Sequence, residues 1–188
     1  MLITSFEEKI GEYKIDNEKV IKSTIEKLYL IKKHHSNTDG NSNIRGWQKE
    51  LSLNEIPSIV DIIGKNFEEY IRTYKIFPKI EYRINKFFCN INPPGASNII
   101  HCHKVGEFSG VFYLKAEENA GDLIVMNPFP NILFNTLCAT KENYNNRRWT
   151  PFAGLGLFWN SNLMHYTDIN RSDTDRISIA FHIKINTI

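Results

Sequence analysis

The chain has 188 residues, 41% hydrophobic and 23% charged, enough to bury the core of one soluble domain. Its net charge of +2 is too small to argue for nucleic acid or an anionic membrane as partner. No apolar run approaches the ~20 residues that span a bilayer, and the start MLITSFEEKI lacks the pattern of a secretory signal.

A cytoplasmic location is therefore expected, with the three scattered cysteines, Cys89, Cys102 and Cys138, as reduced thiols. In chain order, GEYKI at 11–15 reads as a short edge strand. Residues 17–35 place Val20, Ile21, Ile25, Leu28 and Ile31 at helical spacing. The stretch SNTDGNSNIRGWQKELS at 36–52 is rich in Asn, Ser and Gly and reads as a loop, with Trp47 as an anchor. A second helix is expected over 54–74, with the stripe Ile56, Ile59, Val60, Ile63, Phe67 and Ile71. Ser52 or Asn54 can cap its start, and Pro57 falls in the first turn, where proline is tolerated.

From about residue 80 the period changes. KIEYRINKFFCNINPPG, SNIIHCH, FSGVFYLKA, GDLIVMNP, LGLFWN and RISIAFHIKI are short, rich in β-branched and aromatic residues, and bounded by Gly, Pro and Asn. A polar insertion at 128–151 interrupts them. The expectation is a single domain, 1–188. A helical N-terminal part, 1–79, packs on a mainly β, barrel-like core, 80–188, of about eight antiparallel strands.

Two histidines stand one residue apart in SNIIHCH. Strand side chains alternate faces, so His101 and His103 point one way and Cys102 the other. Two imidazoles at ~7 Å along a strand can share a metal ion. His165, after the strand LGLFWN and a turn, is the candidate third ligand. Arg176 opens the strand RISIAFHI, where Arg176, Ser178, Ala180 and His182 share one face and Ile177, Ile179, Phe181 and Ile183 the other. An arginine followed by small residues leaves space. A buried guanidinium needs a partner, which is either a ligand carboxylate or Asp173 or Asp175 at the strand entrance.

Together these motifs resemble the Fe(II)- and 2-oxoglutarate-dependent oxygenases of the double-stranded β-helix (jelly-roll, cupin-like) fold. The likeness is to a group with an HxH motif. The matching segments are NINPPG (90–95), HCH (101–103), SGVFYL (109–114), AGDLIVMNP (120–128), GLGLFWNSNLMH (154–165), NRSD (170–173) and RISIAF (176–181), and weakly RGWQKELSL (45–53). The resemblance implies Fe(II) as metal and 2-oxoglutarate as co-substrate, decarboxylated to succinate while an unidentified small-molecule or peptide substrate is hydroxylated. It makes His101 the first ligand, His165 the last, Arg176 the anchor of the distal carboxylate and Tyr113 a hydroxyl donor to that carboxylate. His103 stands where prolyl-hydroxylase-like relatives have Asp. Three-histidine ligation is the expectation, with Glu107 or water at the third position as the alternative. Metal affinity is then expected to fall as pH drops through the ~6.5 region of histidine.

His182, Ser178 and Asn92 are expected behind the ligands or in the pocket wall, and no catalytic side chain beyond the metal ligands is expected. Trp159 and Phe158 read as core and rim. Lys141, Arg147 and Arg148 read as a solvated basic loop, with an anionic substrate as the alternative. Two other functions fit the same barrel: a cupin-like three-histidine metal dioxygenase that does not use 2-oxoglutarate, and a non-catalytic jelly-roll binding module. The pair Arg176 and Tyr113 favours the oxygenase over the cupin, which has no need of it, while His103 in place of Asp keeps the binding module open.

Overall fold

A computed structural model describes residues 8–35, 42–74, 80–104, 106–128 and 146–187. Among them are two helices, α1 (Glu18–His34) and α2 (Pro57–Arg72), and eleven strands. The strands are β1 (Gly11–Lys14), β2 (Asn43–Ile44), β3 (Trp47–Glu50), β4 (Ile80–Asn92), β5 (Ser97–His101) and β6 (Phe108–Lys115). They continue as β7 (Leu123–Val125), β8 (Arg147–Trp149), β9 (Leu155–Asn160), β10 (His165–Thr167) and β11 (Arg176–Thr187). Eight of the eleven lie from residue 80 onward, as the sequence predicts.

The strands form two antiparallel sheets, one of six strands in the order β1-β9-β6-β11-β4-β3 and one of five in the order β2-β5-β10-β7-β8. The helices cover the outer face of the large sheet. Alternation puts Phe87, Cys89 and Ile91 of β4, Phe112 and Leu114 of β6, and Ile177, Ile179, Phe181 and Ile183 of β11 on that face. They pack with Leu28 of α1 and with Ile59, Ile63, Phe67 and Ile71 of α2. Pro57 occupies the first turn of α2, as expected. Ser52 and Glu55 form a capping box on the short 3-10 turn before it, not on α2 itself. GEYK is an edge strand, β1, paired with β9.

The segment read as a loop at 36–52 is one correction. Its described part contains β2 and β3, and β3 adds an edge to the large sheet by pairing Trp47–Glu50 with β4. The Asn, Ser and Gly content masked a strand whose partner lies 40 residues downstream. Trp47 is buried and its indole N–H donates to the His35 carbonyl at 2.8 Å, which gives it the anchoring role expected. Of the 128–151 insertion, residues 129–145 lie outside the described residues, and Cys138 and Lys141 with them.

Candidate metal centre

Register places the histidines. β10 pairs with β5 so that His165 stands directly opposite His101, on the same face of the small sheet. β5 ends at His101, so the alternation argument does not carry as far as His103, and Cys102 lines the cavity instead of facing away from it. The turn nevertheless brings the His103 ring to the same point. Ring centroids are 4.3 Å apart for His101 and His165, 4.8 Å for His101 and His103, and 4.9 Å for His103 and His165. One ligand nitrogen from each lies within 4.8 Å of the other two.

Two of the rings are fixed in tautomer. His101 Nδ1 lies 2.7 Å from the Ile99 carbonyl and His165 Nδ1 lies 2.8 Å from the Leu163 carbonyl. A carbonyl only accepts, so each Nδ1 carries the hydrogen and each Nε2 offers a lone pair. Such an outer partner is what an imidazole ligand ordinarily has. Burial holds these imidazoles neutral, the form that binds metal. It lowers His101, against the opposing bond to Ile99. It takes His165 down to about 4, with His101 adding to the shift. It takes His103 to about 2, with His182, His165 and His101 adding. Glu107 is not at this point: its carboxylate accepts from the Ile185 backbone N–H at 2.7 Å.

Facing the histidines is the inner side of the large sheet. Arg176 is 1% exposed, yet no carboxylate among the described residues pairs with it. Its Nη1 donates to the carbonyls of Ala120 (2.7 Å), Gly121 (3.0 Å) and Asp168 (3.3 Å), and its Nη2 to Thr167 Oγ1 (2.9 Å). The expected alternative, an ion pair with Asp173 or Asp175, does not form, and Asp175 instead accepts from the Tyr29 hydroxyl. A guanidinium has five N–H groups. The bonds above leave one Nη2–H and the Nε–H without a described protein partner, an edge shaped for a carboxylate. Tyr113 is buried beside it, coupled electrostatically to Arg176, and burial pushes its hydroxyl up to about 12, so it remains a donor.

His101, His103, His165, Arg176, Tyr113, Ser178 and His182 all line one cavity of about 420 Å³. His182 sits against His103 with centroids 4.1 Å apart, and its Nδ1 lies 3.1 Å from Ser109 Oγ. Asn92 is the exception. It is buried, but its amide donates to Asn43 at 3.1 Å and it is not part of the cavity lining. The basic-loop reading of Arg148 needs refinement, because its guanidinium binds Asp122 at 3.0 Å and Asp168 at 2.5 Å. Trp159 is a buried wall residue of the cavity, and Phe158 is buried on the helix side. Sequence reasoning missed Thr167, Gly121, Gln48 and Asn90. The first two hold Arg176, and the last two lie in the cavity wall.

Residues 86–182, just over half of the chain, match the family model described as "Putative 2OG-Fe(II) oxygenase". The chain belongs to this 2OG-Fe(II) oxygenase family. Its fold is that of known members of the wider group. A prolyl-4-hydroxylase from Pseudomonas putida superposes with a TM-score of 0.66 at 10% identity, over 93% of this chain and 92% of that one. The viral collagen prolyl hydroxylase of Paramecium bursaria Chlorella virus-1, solved with 2OG, gives 0.59 at 17% identity, over 93% and 94%. HygX from Streptomyces hygroscopicus, solved with nickel and 2-oxoglutarate, gives 0.63 at 10%, over 93% and 82%. No curated protein matches the sequence. A 2OG-Fe(II) oxygenase needs iron and 2-oxoglutarate. The residues present fit both: three convergent, neutral imidazoles, two of them fixed in tautomer, for the metal, and a buried guanidinium with no carboxylate partner among the described residues for the co-substrate.

Proposed function

We propose that this oxygenase hydroxylates a small-molecule or peptide substrate, with His101, His103 and His165 holding Fe(II) and Arg176 and Tyr113 holding the distal carboxylate of 2-oxoglutarate. The observation that carries the reading is Arg176, a buried arginine with no described carboxylate partner in the cavity that the three histidines line.

When bound, iron and 2-oxoglutarate supply the oxidative chemistry: one oxygen atom of O2 goes to succinate, the other to the substrate, and CO2 leaves. The protein's own work is positional. The carbonyls of Ile99 and Leu163 aim His101 and His165 through their Nδ1–H groups. The carbonyls of Ala120, Gly121 and Asp168 and the Thr167 hydroxyl hold the guanidinium still, so that the carboxylate meets a donor already oriented. Val111, Leu123 and Trp159 line the space between and keep water from competing. Ser178 and Ala180, small residues on the strand that carries Arg176, leave the room. His182 and Ser178 serve as pocket wall.

No helix among the described residues is long and apolar enough to cross a membrane. Cys89 and Cys102 are free thiols, which supports a reducing cytoplasm as the setting. The core shared by α1, α2 and the large sheet supports one domain across 1–188, with 1–79 packed on 80–188.

The test is anaerobic titration of the Fe(II) protein with 2-oxoglutarate. Bidentate chelation gives a visible metal-to-ligand charge-transfer band. Absence of the band, or its persistence at unchanged affinity in an Arg176→Leu variant, refutes the assignment.

A further inference from the structure

We propose that Gln48 and Asn90 form a subsite that reads an amide group of the primary substrate. The proposal rests on the oxygenase reading and names the substrate class for the same cavity.

Register sets the pair in place. On the inner face of the large sheet, Tyr113 of β6 lies opposite Ser178 of β11, Ser178 opposite Asn90 of β4, and Asn90 opposite Gln48 of β3. The four form one row across four strands, each step ~4.8 Å. Tyr113, beside Arg176, is the co-substrate end. Gln48 and Asn90 are the other end, with the short Ser178 between. All four line the cavity.

Asn90 is 5% exposed. Among the described residues its single side-chain bond is with Gln48, whose Nε2 donates to Asn90 Oδ1 at 2.7 Å. That bond leaves Asn90 Nδ2 and Gln48 Oε1 without a described partner. Reversing both amides exchanges the atoms but not the result: an NH2 group on one side chain and an oxygen on the other remain without a described partner. Gln48 is half-buried and both side chains line the cavity, so these groups stay open to a matching ligand, and one that cannot pair with them forfeits hydrogen bonds they otherwise make to water. A carboxylate only accepts and meets the Gln48 oxygen unfavourably. An ammonium only donates and meets the Asn90 NH2 unfavourably. An amide supplies a carbonyl for one and an N–H for the other. A peptide bond and a terminal carboxamide share this chemistry.

The test is NMR of the 15N-labelled, Zn(II)-loaded protein, with and without 2-oxoglutarate. The Gln48 and Asn90 side-chain NH2 signals are assigned by their loss in Gln48→Met and Asn90→Leu. N-methylacetamide should shift both signals saturably. Methyl acetate, which lacks the N–H, and 2-propanol should bind about tenfold more weakly. Acetamide binding better than N-methylacetamide points to a carboxamide, and the reverse order to a peptide bond. No response up to the solubility of the amide, or equal response to the ester or alcohol, overturns the proposal. So does a shift of both signals on adding 2-oxoglutarate alone, which would assign the pair to the co-substrate. Failure of 2-oxoglutarate to bind is seen separately, in its own 13C signal, and bears on the oxygenase reading; the amide titration without it still decides this proposal.

Discussion

Gly121 and Arg176 are built around each other. The Gly121 carbonyl accepts from Arg176 Nη1 at 3.0 Å, and a Cβ at Gly121 would stand 2.8 Å from that same nitrogen and collide with the Asp168 carbonyl. The Gly121 φ of +89° also excludes ordinary side chains. Gly121→Ala should therefore displace the guanidinium without touching the histidines. Affinity for 2-oxoglutarate should fall at least tenfold, with metal affinity unchanged. Parallel titrations with metal and with 2-oxoglutarate check this, and an equal loss of both would show a general collapse instead.

Arg176 itself is best probed by a charge-conserving change. Arg176→Lys keeps a cation but removes the planar fork, and three carbonyls and Thr167 then compete for one ammonium. A loss of about 2 kcal/mol in 2-oxoglutarate binding, roughly 30-fold, is expected. Metal affinity should not follow. Isothermal titration of the metal-loaded protein reads both.

Much of the candidate site was legible because it rests on alternation within single strands. Arg176, Ser178 and His182 share a face by counting in twos, and the apolar set Ile177, Ile179, Phe181 and Ile183 fixes which face is buried. His103 lies beyond the end of β5, where counting has no force, yet it arrives at the site through a turn. Gln48 was hidden because β3 is an edge strand that exists only by pairing with β4, a non-local fact. Asn92 was misplaced for a related reason: it lies on the inner face, but Asn43, 49 residues earlier, takes its amide. The partners of Arg176 were illegible because they are backbone carbonyls, which every residue carries.

Acid should destabilise the metal-free protein. His165 and His182 are held at about 4 by burial, the latter also by His101 and Lys86, and His101 and His103 are lowered too. In the unfolded chain each titrates near ~6.5. Between about 4 and ~6.5 the unfolded state binds more protons, so stability is full above ~6.5 and drains as pH falls. The urea midpoint should drop clearly from pH 7.5 to pH 5, and His182→Asn should flatten the dependence. The same burial corrects the window expected for metal binding. Protons compete with metal for the folded site only well below ~6.5, so metal affinity should change little between pH 7.5 and 6.

If His103 completes the ligand set proposed above, it decides how the centre is charged. Three neutral imidazoles leave the metal its full dipositive charge, and the cavity lining among the described residues contains Arg176 but no carboxylate. Such a cavity should hold the 2-oxoglutarate dianion tightly. A metal held there by three imidazoles would lack the anionic ligand that favours its oxidation. His103→Asp replaces a neutral donor by an anion at the same turn, giving two histidines and one carboxylate. Affinity for 2-oxoglutarate should then fall severalfold, while conversion of 2-oxoglutarate to succinate without added substrate should rise. His103→Ala, with no donor at all, should lose metal affinity by 100-fold or more. If His103→Ala binds metal as the parent does, His103 is not a ligand.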